Sequence, residues 1–166
     1  MASTPESDAA PVESTRIMWG RVQARLRSAY NYWLGTATSD GTPHVVPVWG
    51  IWMENIFIFG TDRHSRKGRN LAANPRVVVH LESGDDVVIL TGNVAEITDA
   101  ALLHRMDAVY AAKYVDGVTG QPYHPLAAEA AGNAAVFYAM HPTVAHAWLE
   151  AAFVLSANRW DFRDNR

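Results

Sequence analysis

The chain has no cysteine, which excludes disulfides, zinc–thiolate sites and cysteine nucleophiles and fits a reducing, cytoplasmic setting. Positive charge is not in excess. The formal net charge is -3, whereas general nucleic-acid binding needs a net basic face, so no nucleic-acid partner is expected. Long hydrophobic runs are missing as well. The longest stretches, such as VVPVWGIWM at 45–53, fall far short of the roughly 20 residues that span a bilayer, so no membrane partner is expected. MASTPESDAAPVES, residues 1–14, lacks the basic start and apolar stretch of a secretory leader, and its small, acidic composition reads as a disordered tail. Seven histidines (His44, His64, His80, His104, His124, His141 and His146) show no helical His-x-x-x-His pair and no carboxylate at ligand spacing, so no metal site is expected. No Ser-His-Asp order or paired-carboxylate signal points to hydrolysis.

What is present is an ordinary globular composition. Of the 166 residues, 49% are hydrophobic and 19% charged, enough for a single domain over 15–166 with a real core. Thr15 can cap a helix over 16–30 with Met18, Val22, Leu26 and Tyr30 on one face. YWLGTAT, a turn at Ser39-Asp40-Gly41-Thr42, and HVVPVWGIWM read as a hairpin. A turn at Glu54-Asn55 leads into IFIFGT. A short helix follows over 66–73, stopped by Asn74-Pro75. RVVVHLE, SGDD and VVILTGNVAEI form a second hairpin, with Glu82, Asp85 and Asp86 facing water at its turn. Asp99 caps a helix to about Val115, with Leu102, Leu103, Met106, Val109 and Tyr110 inward. A Gly/Pro-rich loop with one helical piece precedes three closing strands, AAVFYAM, TVAHAWLE and NRWDF. Hairpins with peripheral helices predict a mainly β, α+β domain built as an antiparallel barrel. Pro47 and Gly50 in an otherwise apolar strand mark a kink or a close backbone approach.

The anomaly is FGTDRHSRKGRNLAANPRV, residues 59–77, which puts Arg63, Arg66, Lys67 and Arg69 around one helix start. A helix N-terminus carries about half a positive charge and favours anions, so cations in its first turn are mildly unfavourable. With an anion bound the same arrangement becomes favourable, because backbone N–H groups, the Ser65 hydroxyl and cationic side chains converge on one phosphate. Charge alone fits a solvated basic loop at least as well.

The order of residues goes further than the charge. T-x-x-x-S-R-K, then N-L-x-x-N-P-R-V entering a strand, resembles the pyridoxamine-phosphate-oxidase-like flavin-binding split-barrel superfamily. That resemblance implies an antiparallel split β-barrel in which Thr61, Ser65, Arg66 and Lys67 hold the flavin phosphate. TATSDGTPHVVPVW is similar to the family's first two strands, which implies that Val46, Pro47, Val48 and Trp49 lie along the cofactor ring. Pro142 to Trp148 and Asn158-Arg159-Trp160 resemble its closing strands. Trp148 and Arg159 would then reach the cofactor, some of these contacts crossing the interface of a homodimer with a shared site. The match is good over about 30–100 and looser over 140–162.

Two departures set this chain apart from pyridoxamine phosphate oxidases proper. Their glutamine early in the strand after the second hairpin turn is replaced by the neighbourhood Asp86-Val87-Val88. Their terminal Arg-x-His element is replaced by Arg159-Trp160-Asp161-Phe162. Lys67-Gly68-Arg69-Asn70-Leu71 instead resembles the actinobacterial branch that binds the 8-hydroxy-5-deazaflavin coenzyme F420 as well as, or instead of, FMN, with Arg69 and Asn70 added to the cofactor-binding set. The implied activity is hydride transfer from a reduced flavin or deazaflavin to a small enone- or quinone-like substrate. The alternative is a protein that binds or sequesters the cofactor without turnover.

Overall fold

The computed structural model describes residues 16–130 and 135–162; the tail expected over 1–14 and its neighbour Thr15 lie outside them. The first helix, α1 (Trp19–Ser28), starts three residues later than the sequence predicts, at Met18, which caps it without a side-chain bond. The reason is tertiary. Ile17 donates its N–H to Ser156 (3.1 Å) and accepts at its carbonyl from Asn158 Nδ2 (3.1 Å), so the chain before α1 runs along the C-terminal segment rather than coiling. Val22 and Leu26 are fully buried, whereas Met18 is exposed. Tyr30 falls beyond the helix, since the backbone is already extended at Ala29.

The β elements are β1 (Tyr32–Ala37), β2 (Pro43–Val48), β3 (Ile51–Met53), β4 (Ile56–Asp62), β5 (Arg76–His80), β6 (Asp86–Glu96), β7 (Ala135–Leu149) and β8 (Asn158–Asp161). The helices after α1 are α2 (Arg66–Ala73), α3 (Ala100–Lys113), α4 (Pro125–Ala130) and the single turn α5 (Phe153–Ser156). All strand pairs are antiparallel, in the order β2-β1-β5-β6-β7-β4-β3, with β8 also on β7. The two ends of that path, β2 and β3, are consecutive in the chain and joined only by Trp49-Gly50. The sheet therefore has to curl until its edges meet at that corner, giving an antiparallel split barrel.

Two expectations need correcting. HVVPVWGIWM is not one strand but two, β2 and β3, broken at Trp49-Gly50. AAVFYAM and TVAHAWLE are not two strands but one, β7. Pro142 cannot donate to a ladder, and β7 accommodates it opposite Gly92, where the β6–β7 register shifts between Thr91 and Gly92. The tight β3–β4 connection was legible in the sequence: Glu54 and Asn55 both have positive φ, 50° and 61°, as a two-residue hairpin loop demands.

Among the described residues twenty buried ones, including Leu34, Phe57, Phe59, Val79 and Leu90, fill the barrel under α1. A second cluster around Ile51, Ile58, Met106, Tyr110 and Tyr114 packs α3 against the β3–β4 side. Asp86, expected to face water, instead takes Arg21 (2.7 Å) and Arg25 from α1, and its carbonyl accepts from Arg25 Nη2 (3.2 Å). It anchors the helix to the start of β6. The VVILTG stretch of β6 is largely covered within the chain, and among the described strand residues the large apolar side chains left exposed are Val45 (53%) and Val78 (37%). No helix is long and apolar enough to cross a membrane among the described residues.

Candidate functional site

The helix start at α2 is built as its residues dictate. Ser65 caps it, accepting from the Gly68 N–H (3.0 Å) and donating to the Asp62 carbonyl (2.7 Å). The Asp62 carboxylate turns back to accept from the His64 N–H (2.7 Å). Gly68 is required by a close approach: a Cβ there would lie 2.3 Å from the Asp62 carbonyl oxygen and 2.7 Å from that of Arg63. The loop is thereby pressed onto the first turn of α2, and Ser65 Oγ comes within 3.1 Å of Thr61 Oγ1 at the end of β4.

The four cations of this segment separate into two pairs. Arg63 forms an ion pair with Glu96 (2.5 Å), and Arg69 folds back to donate to the His64 carbonyl. Among the described residues, Arg66 and Lys67 have neither a hydrogen-bond nor an ion-pair partner, and the first turn of α2 contains no acidic residue. Among the described residues nothing compensates the unfavourable pair, at a helix of eight residues.

Lys67 and Thr61 open into a cleft of about 330 Å³, within the range for small-molecule sites. Its walls come from Pro47, Val48 and Trp49 at the end of β2, Tyr110 of α3, Tyr123 of the loop into α4, Pro125 at the start of α4, and Phe137 of β7. The Trp49 ring stacks on Tyr114 (4.6 Å between centroids, 12° apart) and meets Tyr123 edge-on at 5.5 Å. Burial pushes the hydroxyl pKa of Tyr110 well up, with Tyr114 and other tyrosines adding to the effect, and it raises that of Tyr123 also. Both remain neutral donors across the ordinary range of pH. Gly50, beside Trp49, is explained by packing rather than by a ligand: a Cβ would sit 2.4 Å from the Phe57 ring.

Of the twelve residues singled out in the sequence, Pro47, Val48, Trp49, Thr61 and Lys67 line the cleft. Ser65 touches Thr61, and Arg66 adjoins Lys67. The structure places the others elsewhere. Val46 packs against the barrel core. Asn70 is buried and donates Nδ2 to Thr36 Oγ1 (3.0 Å), docking α2 on β1. Arg69 lies on the exposed side. Trp148 and Arg159 line a separate groove with Arg16 and Phe153. Trp148 sits eleven residues beyond Phe137 on β7, roughly 35 Å along the curled strand. Arg159 is paired with Asp161 (2.8 Å). Sequence reasoning missed Tyr123 and Pro125, which come from the Gly/Pro-rich loop, and it read Tyr110 only as core; a loop's landing place leaves no periodic signal. Among the described residues no three His, Cys, Asp or Glu side chains form a metal-binding group. His80 stacks on Trp33 and bonds the Leu81 carbonyl through Nδ1 (2.8 Å).

This strand order, with its cleft at the corner where the sheet closes, defines a split-barrel protein. The sequence matches the family described as pyridoxamine 5'-phosphate oxidase over residues 18–148, and the chain belongs to that family. No curated protein matches it. Similar solved structures include an F420 reductase (24% identity, 74% of this chain and 94% of that one, TM-score 0.54). PhzG from Burkholderia lata 383, in complex with tetrahydrophenazine-1-carboxylic acid, is 20% identical over 89% of this chain and 84% of that one, with a TM-score of 0.61. A heme binding protein from Mycobacterium smegmatis is 14% identical over 92% and 60%, with a TM-score of 0.63. At these identities the likeness is one of fold.

Proposed function

We propose that the chain is a flavin- or deazaflavin-dependent oxidoreductase acting on a small organic substrate. The observation that carries this reading is the uncompensated pair Arg66 and Lys67 at the N-terminus of α2, beside the Thr61–Ser65 hydroxyl pair and at the mouth of an aromatic-walled cleft. The Thr61 hydroxyl, two cations with no partner among the described residues and a helix N-terminus fit a ribityl phosphate, and Ser65 could join them by turning its hydroxyl from the Asp62 carbonyl. Pro47, Val48 and Trp49 would flank the ring, while Tyr110, Tyr123 and Phe137 exclude water from it. When bound, the reduced cofactor supplies the hydride, so the protein needs to contribute only position and electrostatics. Of the groups that hold haem iron, the cleft lining offers only tyrosine hydroxyls, and that of Tyr110 faces the Trp49 and Ile58 carbonyls (3.4 Å each). This favours a flavin over haem.

In this reading the deazaflavin is preferred to FMN. Its acidic tail would draw Arg63 from Glu96 and Arg69 from the His64 carbonyl, both at the edge of the phosphate site. The reading also includes a homodimer. Gly35 pairs with Val45 on one side and Val78 on the other, leaving a trough of about 770 Å³ flanked by the two exposed valines. A second copy packed there would cover them. Trp148 and Arg159 would then serve the partner's cleft rather than their own.

Titration with FMN and with F420, followed by turnover of the reduced cofactor against a panel of quinones and enones, tests the reading. Binding with turnover supports it. Binding without turnover makes the chain a cofactor carrier, and absence of binding removes the reading altogether.

A further inference from the structure

The end of α3 holds the corner where the barrel closes. Lys113, its last residue, donates from Nζ to the Gly50 carbonyl (2.8 Å) and to the Tyr32 hydroxyl (2.7 Å). The amine also lies over the Tyr32 and Tyr114 rings, 4.6 and 5.2 Å from their centroids. Tyr114 accepts from the Gly50 N–H (3.0 Å), its hydroxyl lies within donating distance of both the Gly50 carbonyl (2.8 Å) and the Tyr30 carbonyl (2.7 Å), it stacks on Trp49, and Tyr110 reaches the Trp49 carbonyl. Both polar groups of Gly50 and the ring of Trp49 are thus taken up by one helical turn. This matters because the sheet itself gives the corner little support. β3 has only three residues, and neither Trp49 nor Gly50 belongs to a strand. A cation near a helix C-terminus is also favoured by the helix dipole. Lys113 has no acidic partner among the described residues, so its charge is held by a carbonyl, a hydroxyl and two ring faces.

We infer that Lys113 is a positioning residue for the cleft: by holding the Gly50 carbonyl and the Tyr32 hydroxyl, it fixes the Trp49–Gly50 corner and so the wall that Trp49 presents. The inference rests on the reading of the cleft as the cofactor site. Its direct consequence, an immobile corner, can be observed without any cofactor. Lys113 does not line the cleft; it opens instead onto a separate groove with Arg27, Ile51 and Val109. Any effect of Lys113 on binding is therefore indirect, and the corner is the contact that leads from it to a cleft wall, Trp49. An amine can be replaced by a side chain of similar length that has no N–H, which leaves the packing in place and removes only the clamp.

Lys113→Met is the test. Amide hydrogen exchange at Gly50 and Ile51 in the cofactor-free protein should rise at least tenfold, with exchange at Val79 and Leu90 of the barrel core unchanged. The dissociation constant for FMN should rise about tenfold. In a Trp49→Ala background the added Lys113→Met should leave FMN affinity where Trp49→Ala puts it, because coupled sites are non-additive. Unchanged exchange at Gly50 overturns the inference, and so do additive effects in the cycle. If Lys113→Met does not fold, Lys113→Gln, too short to reach the Gly50 carbonyl, is measured by the same exchange criterion. If the wild-type protein binds neither FMN nor F420, the functional reading fails and exchange at Gly50 alone decides the role of Lys113.

Discussion

Replacing Arg66 and Lys67 together by alanine should move stability and affinity in opposite directions. Both cations sit in the first turn of α2, with no acidic residue in that turn and no partner among the described residues. Against the helix dipole each costs about 0.3–1 kcal/mol, so their removal should stabilise the cofactor-free protein by up to about 1 kcal/mol after allowance for the exposure of Arg66. For a domain of this size that is an increase of a few degrees in Tm, at about 2–4 °C per kcal/mol. A charge-assisted hydrogen bond to phosphate contributes about 1.5–3 kcal/mol. Losing two of them should weaken FMN by about a hundredfold or more, at about 1.4 kcal/mol per tenfold change. Riboflavin, which has the ring but no phosphate, should bind the double variant as it binds the wild type. Calorimetric titration with both ligands, paired with thermal unfolding without ligand, reads all three quantities. Equal losses for FMN and riboflavin, or a lower Tm in the free protein, would refute the anion-site argument.

Gly68→Ala should cost about 1–3 kcal/mol in urea unfolding, because its Cβ meets backbone oxygens that cannot turn aside, whereas Gly84→Ala, with nothing within 4 Å, should stay within about 0.5 kcal/mol. Asn70→Ala should cost about 1–3 kcal/mol by leaving Thr36 without its buried donor, and should affect FMN binding only in proportion to that loss. Stability should pass through a maximum near pH 9–10. Burial lowers the Lys113 pKa from 10.5 to about 8, so between those values the unfolded chain binds more protons and stability rises with pH. Burial raises the Tyr114 pKa from 10.0 to about 12 and raises that of Tyr32 also. Above about pH 10 the folded state therefore holds the extra protons and stability falls. Lys113→Met should abolish the rising limb alone, as followed by denaturant midpoints from pH 7 to 11. Arg63→Ala and Arg69→Ala should weaken F420 and spare FMN in parallel titrations; equal effects on both cofactors, or none, would remove the preference for the deazaflavin.

How much of this was written in the sequence depends on the range of the interaction. Local chemistry was legible. Ser65 as a cap, the helix over 66–73 and its stop at Asn74-Pro75 all rest on contacts within a few residues, and each stands in the structure as read. The same holds for the Asp99 cap and the Glu54-Asn55 turn. The family resemblance likewise lay in residue order around the basic turn.

Tertiary structure decided the rest. Whether a cation at a helix start is free or paired depends on distant partners: Glu96 takes Arg63, and nothing described takes Arg66 or Lys67. Pattern alone divided β7 at Pro142, because a proline reads as a break until the shifted register of the neighbouring strand is seen. Asn70 looked like a ligand-binding residue from its neighbours in the chain, yet its direction is set by Thr36, 34 residues away. The corner at Trp49-Gly50 shows the division most sharply. The sequence marked it as an interruption, through a proline and a glycine in an apolar run. Only the closing of the sheet, with α3 brought across it, made that interruption the wall of a cleft held by Lys113, Tyr110 and Tyr114. A contact between residues more than 60 apart has no periodicity to betray it, because the fold alone sets the separation.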